Sequence, residues 1–209
     1  MDKYTITFNT WNKLAAVYEE KFMEVDIYNS SYDKFCDLLK KEHPKLLEIG
    51  CGPGNITKYV LNKRPDFSIL GTDIAPTMIE AAQKNNPSAT FEVLDAREID
   101  QLEEKFDAVL CGFCLPYLSV EDCKKLLSDT YSLLNENGLA YFSTIEGESS
   151  NSGFQTGSTG DQSYVYYHSE ADLRSFVLQA GFELVELIKV PFEKTNGQLE
   201  IHLIYLIRK

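Results

Sequence analysis

The chain has 209 residues, 44% hydrophobic and 25% charged, which suits one sizeable α/β domain with its own core. Asp and Glu number 32 against 20 Lys and Arg, a formal net charge of −12, so a partner gripped by its phosphates is not expected. No apolar run approaches the ~18 residues of a membrane span, and five irregularly spaced cysteines do not describe a disulfide scaffold.

The opening MDKYTITFNTW has no secretory apolar region, and a cytoplasmic protein is the expectation. From Phe8 to about Glu24, residues Trp11, Leu14, Ala15, Tyr18 and Phe22 recur at the spacing of one amphipathic helix. A second helix is expected over Tyr28 to Glu42, with Ser30 or Ser31 as its N-cap and Tyr32, Phe35 and Leu39 inward. Lys45 to Ile49 then reads as a buried parallel strand. It runs into Gly50-Cys51-Gly52-Pro53-Gly54, a turn in which glycine permits positive φ and close approach of a ligand. A helix over Asn55 to Lys63 follows, its first amides unpaired and partly positive. Strand, turn and helix together make a cradle for a nucleotide-type cofactor. The dinucleotide fingerprint wants its third glycine one place later, where Asn55 stands. Glu48 would repel a phosphate and suits a cationic ligand.

A second strand covers Phe67 to Thr72 and ends in Asp73, about 20 residues past the glycines, where a carboxylate accepts both hydroxyls of a ribose. The alternative for Asp73 is a cap on the next helix, Ala75 to Asn85, with Pro76 at an early position. Ala89 to Leu94 is the third strand, ending Asp95-Ala96-Arg97, and Asp107 to Cys111 the fourth. The apolar, proline-kinked Gly112 to Leu118 would face the ligand crevice. A helix over Val120 to Leu134 has Ser119 as N-cap and Asn137-Gly138 as its closure, before a fifth strand, Leu139 to Ile145. Gly147 to Ser163, rich in Gly and Ser, reads as a substrate-covering lid or a linker. Tyr164 to Tyr167 is a short strand, Ser169 to Asp172 caps a helix that Gly181 ends, and two last strands cover Phe182 to Val190 and Leu199 to Ile207. Thr195-Asn196-Gly197-Gln198 would join them as a hairpin turn.

Five segments, LEIGCGPGN (Leu47 to Asn55), LGTDIAPTMIEAA (Leu70 to Ala82), FEVLDA (Phe91 to Ala96), FDAVLCGFCLPYLS (Phe106 to Ser119) and LLNENGLAYFS (Leu133 to Ser143), stand in the order of a known family. The chain resembles a class I S-adenosylmethionine-dependent methyltransferase over roughly Lys45 to Ser143. The resemblance implies an α/β, Rossmann-like three-layer sandwich with a seven-stranded, mostly parallel sheet, a C-terminal antiparallel hairpin and an N-terminal helical cap. It divides a single domain into a cap (1–44), a cofactor core (45–146), a lid (147–168) and a C-terminal helix and hairpin (169–209). The implied cofactor is S-adenosyl-L-methionine, leaving as S-adenosyl-L-homocysteine, and the implied partner a small-molecule acceptor, with no nucleic acid and no membrane.

By the same resemblance Tyr18 lies against the methionine end of the cofactor. Glu48, Gly50, Cys51, Gly52, Gly54, Asn55, Asp73, Ile74 and Met78 join it in the cofactor shell. Asp95 accepts from the adenine amino group, Ala96 offers its amide to the ring, Arg97 is adjacent, and Cys111, Gly112 and Phe113 complete the shell near the sulfonium. Two rival readings are a nicotinamide-dinucleotide oxidoreductase, which Asn55 and the final hairpin oppose, and a non-catalytic binder of the same cofactor.

Methyl transfer from a sulfonium is an in-line displacement by a reagent that is already activated. Alignment and exclusion of water are what the protein supplies. A base is needed only for an acceptor that is protonated at working pH. His168 is the candidate on titration grounds, with Tyr18, Tyr117, Tyr166 and Glu146 near the same crevice. His202, on the last strand, shows no evident partner. Cys111-x-x-Cys114 formally matches a redox or zinc half-site, but no second pair completes it, so no metal is expected.

Overall fold

The first strand, β1 (Lys45–Ile49), is buried along four of its five residues and is the third of the sheet's seven strands, an interior position that its unbroken apolar run demands. The structure is a computed structural model that describes residues 2–194 and 197–209. Around β1 lie β2 (Ser68–Asp73), β3 (Thr90–Val93), β4 (Phe106–Cys111), β5 (Leu134–Ile145), β8 (Glu183–Glu193) and β9 (Leu199–Arg208). They form one seven-stranded sheet in the order β3-β2-β1-β4-β5-β9-β8. The first five are parallel, while β9 pairs antiparallel with both β5 and β8.

Successive side chains of a strand point to opposite faces, and the two cores follow that alternation. Leu46, Ala108, Leu110, Leu139 and Tyr141 pack on one face, under α2 (Asn29–Leu38), α3 (Asn55–Lys63) and α4 (Pro76–Asn85). Leu47, Val109, Cys111, Ala140 and Phe142 pack on the other, under α5 (Val120–Leu133) and α6 (Glu170–Gln179). The chain order reverses between β1 and β4, which opens a crevice beyond their carboxyl ends.

Helix α1 (Lys3–Phe22) starts five residues before the apolar pattern predicts. Its first turns are held from outside: the Tyr4 hydroxyl bonds Asp122, and the buried Thr7 and Thr10 face a neighbouring strand. Neither Ser30 nor Ser31 caps α2. Tyr28 precedes the helix in a near-helical conformation, and the buried Ser31 hydroxyl donates to the Tyr28 carbonyl at 2.6 Å and meets the Tyr141 hydroxyl at 3.0 Å. Ser119 and Ser169 do cap α5 and α6, each accepting the amide three residues on.

Asn137-Gly138 does not close α5. The helix ends at Leu133, because Leu134 already pairs with Phe106 as the first residue of β5. Residues 135–138 then bulge out before Leu139 meets Ala108, with Asn137 at φ 62°. A Cβ at Gly138 would stand 2.8 Å from the Asn135 carbonyl oxygen.

The Gly- and Ser-rich stretch has more structure than its composition suggests. It forms a short helical turn (Ser149–Asn151) and an antiparallel hairpin of β6 (Gly153–Thr156) and β7 (Gln162–Val165). The hairpin packs along α1, joined by Thr10 Oγ1 donating to the Gln162 carbonyl at 2.6 Å and the Tyr164 amide donating to Thr7 Oγ1 at 2.9 Å. The expected Tyr164–Tyr167 strand therefore starts two residues earlier, at Gln162. Of the turn expected between the last two strands, Thr195 and Asn196 lie outside the described residues. No helix among the described residues is long and apolar enough to cross a membrane.

Candidate cofactor and acceptor site

Gly50, Gly52 and Gly54 have φ of 66°, 54° and 81°, so the turn after β1 uses the freedom its three glycines supply. They are not equivalent. A Cβ at Gly54 would stand 2.3 Å from Asn86 Nδ2 and 3.3 Å from Ala82 Cα, so this glycine lets α3 and α4 touch. A Cβ at Gly52 would meet only the Tyr18 ring, at 3.8 Å, which leaves that backbone bare toward the crevice.

At the end of β2, Asp73 binds the turn. Its Oδ2 accepts the Gly52 amide at 3.0 Å and its Oδ1 accepts the Ala75 amide at 2.9 Å. The two readings of Asp73 are thus not exclusive, since it steadies the entry to α4 and still faces the crevice. Burial raises its carboxyl above the ordinary range, partly offset by the two amides.

A cavity of about 160 Å³ lies over this turn. Gly50, Gly52, Asp73, Ile74 and Met78 form its floor and one wall, and Asp95, Ala96, Arg97, Gly112, Phe113 and Tyr117 form another. Helix α1 roofs it with Tyr4, Thr7, Phe8, Trp11 and Tyr18, a stripe at helical spacing. Phe8, Trp11 and Tyr18 belong to the apolar pattern that begins at Phe8, and Cys114 and Leu118 to the segment expected to face the crevice, whereas Tyr4 and Thr7 precede both. The Trp11 ring contacts Tyr18 at 5.6 Å and Tyr117 at 5.4 Å, both edge-on. Burial raises the Tyr18 hydroxyl to about 12, with the Asp73 carboxylate adding to the rise, so it is a neutral phenol.

Asp95 lines the cavity beside Ala96 and Arg97. Both its oxygens are taken by Arg97, at 3.0 Å from Nε and 2.5 Å from Nη2, and the Arg97 guanidinium lies 4.2 Å over the Tyr4 ring. Arg97 is therefore a built part of the wall.

Eight expected site residues do not line the cavity: Glu48, Cys51, Gly54, Asn55, Cys111, Glu146, Tyr166 and His168. Glu48 is 1% exposed beneath the turn, one oxygen accepting from the Thr57 hydroxyl and Oε1 without a partner. Burial pushes its carboxyl up to about 8, so it holds its proton at higher pH than an exposed carboxyl does. Cys51 and Cys111 are buried core thiols, and Cys114, which packs against Gly50, is the cysteine that reaches the cavity. Among the described residues no group of three or more His, Cys, Asp or Glu could hold a metal ion.

His168 is placed as a structural histidine. It is 2% exposed, and its Nε2 lies 3.1 Å from the Leu118 carbonyl oxygen and 3.4 Å from Cys123 Sγ. Burial lowers its pKa below the ordinary value. It braces the segment that follows β4 from behind and offers no nitrogen to the crevice. His202, in contrast, does have a partner, because Tyr28 Oη lies 2.6 Å from its Nδ1.

Five parallel strands in the order 3-2-1-4-5, an antiparallel pair beyond them and a glycine turn under an acid-flanked cavity define a class I methyltransferase fold. The methyltransferase-domain family model matches residues 46–138 of this chain. It is 34% identical over 113 residues to a malonyl-[acyl-carrier protein] O-methyltransferase of Paenibacillus sp., covering 51% of this chain and 40% of that one. The chain thus spans well under two thirds of such curated relatives. Among solved structures it is similar to the 1,6-didemethyltoxoflavin N1-methyltransferase of Burkholderia thailandensis bound to S-adenosylhomocysteine. There the TM-score is 0.75 at 18% identity, over 98% of this chain and 88% of that chain. It is also similar to the magnesium protoporphyrin IX methyltransferase of Synechocystis with S-adenosylmethionine bound, with a TM-score of 0.70 at 19% identity over 100% and 98% of the two chains.

Proposed function

We propose that the chain transfers a methyl group from S-adenosyl-L-methionine to a small-molecule acceptor. The observation that carries this reading is the Asp73 carboxylate, fixed by two amides at the end of β2 and facing a cavity floored by bare glycine backbone. Its free lone pairs suit the two hydroxyls of a ribose, and the Gly50–Gly52 backbone suits an amino-acid end. Ala96 and the Asp95–Arg97 pair would border the adenine, and Ile74 and Met78 would flank the sugar.

When bound, the cofactor supplies an activated methyl on a positive sulfur. The protein's share is placement and dryness. Trp11, Tyr18 and Tyr117 present aromatic rings at the end of the cavity nearest the glycine turn, which favours a cation and keeps water out. Tyr18 and Tyr117, both with hydroxyls raised by burial, act as neutral donors that orient an acceptor rather than as bases. The fold alone does not choose the acceptor. The formal charge of −12 supports a partner other than nucleic acid, and five free cysteines fit a reducing compartment such as the cytoplasm.

Calorimetric titration with S-adenosylhomocysteine and with NAD, side by side, tests the cofactor. Heat with the first and none with the second is the expected result; the reverse would point to an oxidoreductase. Donor consumption over a panel of acceptors then separates an enzyme from a mere binder.

A further inference from the structure

Behind the cavity lies a pair of polar side chains that the cofactor reading does not use. His202 stands on β9 opposite Ile145, at the carboxyl end of β5, on the side of Phe113 away from the cavity. It is 5% exposed. Its ring stacks on Phe192 at 4.8 Å and meets Phe113 edge-on at 5.0 Å. Tyr28, in the α1–α2 connection, packs on the same Phe113 at 5.0 Å and places its hydroxyl 2.6 Å from His202 Nδ1. Phe113 is therefore the residue that the cavity and the pair share.

Electrostatics fix the direction of this bond. The other nitrogen of His202, Nε2, has no hydrogen-bond partner and faces Glu200 Oε2 at 3.8 Å. A bare nitrogen lone pair beside a carboxylate is repulsive, whereas an N–H there is attracted. The proton of neutral His202 accordingly sits on Nε2, and Nδ1 accepts from the Tyr28 hydroxyl. The charged and titratable groups facing His202 are Tyr28, Glu200 on its own strand and Lys194, which is ion-paired to Glu200. Burial lowers the His202 pKa and Glu200 opposes that, so the ring is neutral near pH 7 and has a carboxylate ready to stabilise it once charged.

The non-glycine residue between pair and cavity is also in an unusual conformation. Phe113 has φ 54°, a region a bulky residue seldom occupies, held by its amide donating to Ser143 Oγ at 2.9 Å. A ring held on such a backbone is a suitable door, because ordinary φ values are open to it once the Ser143 bond is released.

We propose that Tyr28 and His202 form a proton relay for the methyl acceptor, reached when Phe113 swings aside, and that the acceptor is a protic nucleophile such as a phenol or an aromatic N–H. This rests on the methyltransferase reading. In the step, an acceptor lone pair forms the bond to the methyl carbon while the carbon–sulfur bond breaks and its electron pair stays on sulfur. The acceptor's proton passes to Tyr28 Oη as the Tyr28 hydroxyl proton moves to His202 Nδ1. His202 becomes an imidazolium beside Glu200 and returns its proton to solvent after product leaves. Tyr28 touches the acceptor in this scheme; His202 and Glu200 position and charge it from behind.

Two measurements test the relay, both on the full chain loaded with cofactor or product. In nitrogen NMR of the S-adenosylhomocysteine-bound protein, His202 is expected to carry its proton on Nε2, and Tyr28→Phe, which keeps the ring packing, is expected to raise the His202 pKa. A proton on Nδ1, or no response to Tyr28→Phe, overturns the relay. In methyl transfer from S-adenosylmethionine to phenol, aniline and pyridine, Tyr28→Phe and His202→Gln are each expected to cut kcat about a hundredfold for the protic acceptors and to leave the aprotic pyridine within twofold. Equal losses on all three, or no loss on any, overturn it, as does silence from the whole panel. The heat of S-adenosylhomocysteine binding then says separately whether the cofactor reading stands.

Discussion

The Asp73 carboxylate accepts the Gly52 amide at 3.0 Å across 21 residues of chain, tying the glycine turn of β1 to the end of β2. One side chain thus shapes the floor of the cavity and supplies its acid. Asp73→Ala is expected to weaken S-adenosylhomocysteine binding about 10- to 100-fold, the worth of a charged hydrogen-bond acceptor of about 1.5–3 kcal/mol. Calorimetry reads the loss, with a thermal melt alongside to show that the fold persists. Unchanged affinity would mean that Asp73 is only a brace.

Glu48 gives a pH signature. Its carboxyl is raised by burial from the ordinary 4.5 to about 8, so between those values the folded state holds a proton that the unfolded chain has released. Stability contributed this way is complete below about pH 4.5, falls as pH rises, and levels off above about 8. Glu48→Gln keeps an oxygen to accept from the Thr57 hydroxyl and cannot ionise. Its melting temperature is expected to lose less than that of the parent between pH 6 and 8, at roughly 2–4 °C per kcal/mol of difference. Parallel curves for the two proteins would place the Glu48 pKa elsewhere.

Two glycines with nearly the same φ separate backbone strain from crowding. Gly54 and Gly160 have φ of 81° and 83°, yet a Cβ at Gly54 would meet Asn86 Nδ2 at 2.3 Å and one at Gly160 would meet nothing within 4 Å. Gly160→Ala is expected to cost about 1 kcal/mol, the strain of a left-handed alanine. Gly54→Ala adds overpacking between α3 and α4 and is expected to cost about 2–4 kcal/mol in total. Denaturant melts of both variants measure the gap, and equal losses would show that Asn86 simply moves.

The same contrast explains what could be read from the chain. Strand β1 and helix α3 appear with the expected bounds because an apolar run, three glycines and a helix start are all local signals. Asp73 and the Asp95–Arg97 stretch could be placed for the same reason, each following a recognisable strand. What local pattern does not carry is a partner far along the chain. Tyr4 reaches the site through Asp122, 118 residues away, and His202 finds Tyr28 across 174. Asn137-Gly138 misled for a related reason: its turn chemistry is real, but pairing of Leu134 with Phe106 had already ended the helix. His168 titrates in the right range, and only its burial against Leu118 and Cys123 shows that it faces away from the cavity.

The roof over the cavity is held by polar tethers as well as by packing. Thr7 Oγ1 accepts the Tyr164 amide and Thr10 Oγ1 donates to the Gln162 carbonyl, so two buried hydroxyls of α1 satisfy backbone groups of β7. On the other side, Thr77 of α4 bonds the Asn12 carbonyl and side chain at 2.5 and 3.0 Å. Replacing Thr7 and Thr10 together by Val keeps the shape but removes the partners of the half-buried Tyr164 N–H and of the Gln162 C=O, at about 0.5–1.5 kcal/mol each. The cost should fall on local opening of α1 and β7 more than on the sheet, because those elements lie outside it. Hydrogen exchange is expected to speed at least tenfold in residues 3–22 and 162–165 while β1 and β4 stay protected. If α1 roofs a bound cofactor, S-adenosylhomocysteine should also leave the double variant faster. Exchange that rises evenly over the whole sheet would show instead that α1 is an integral part of the global fold.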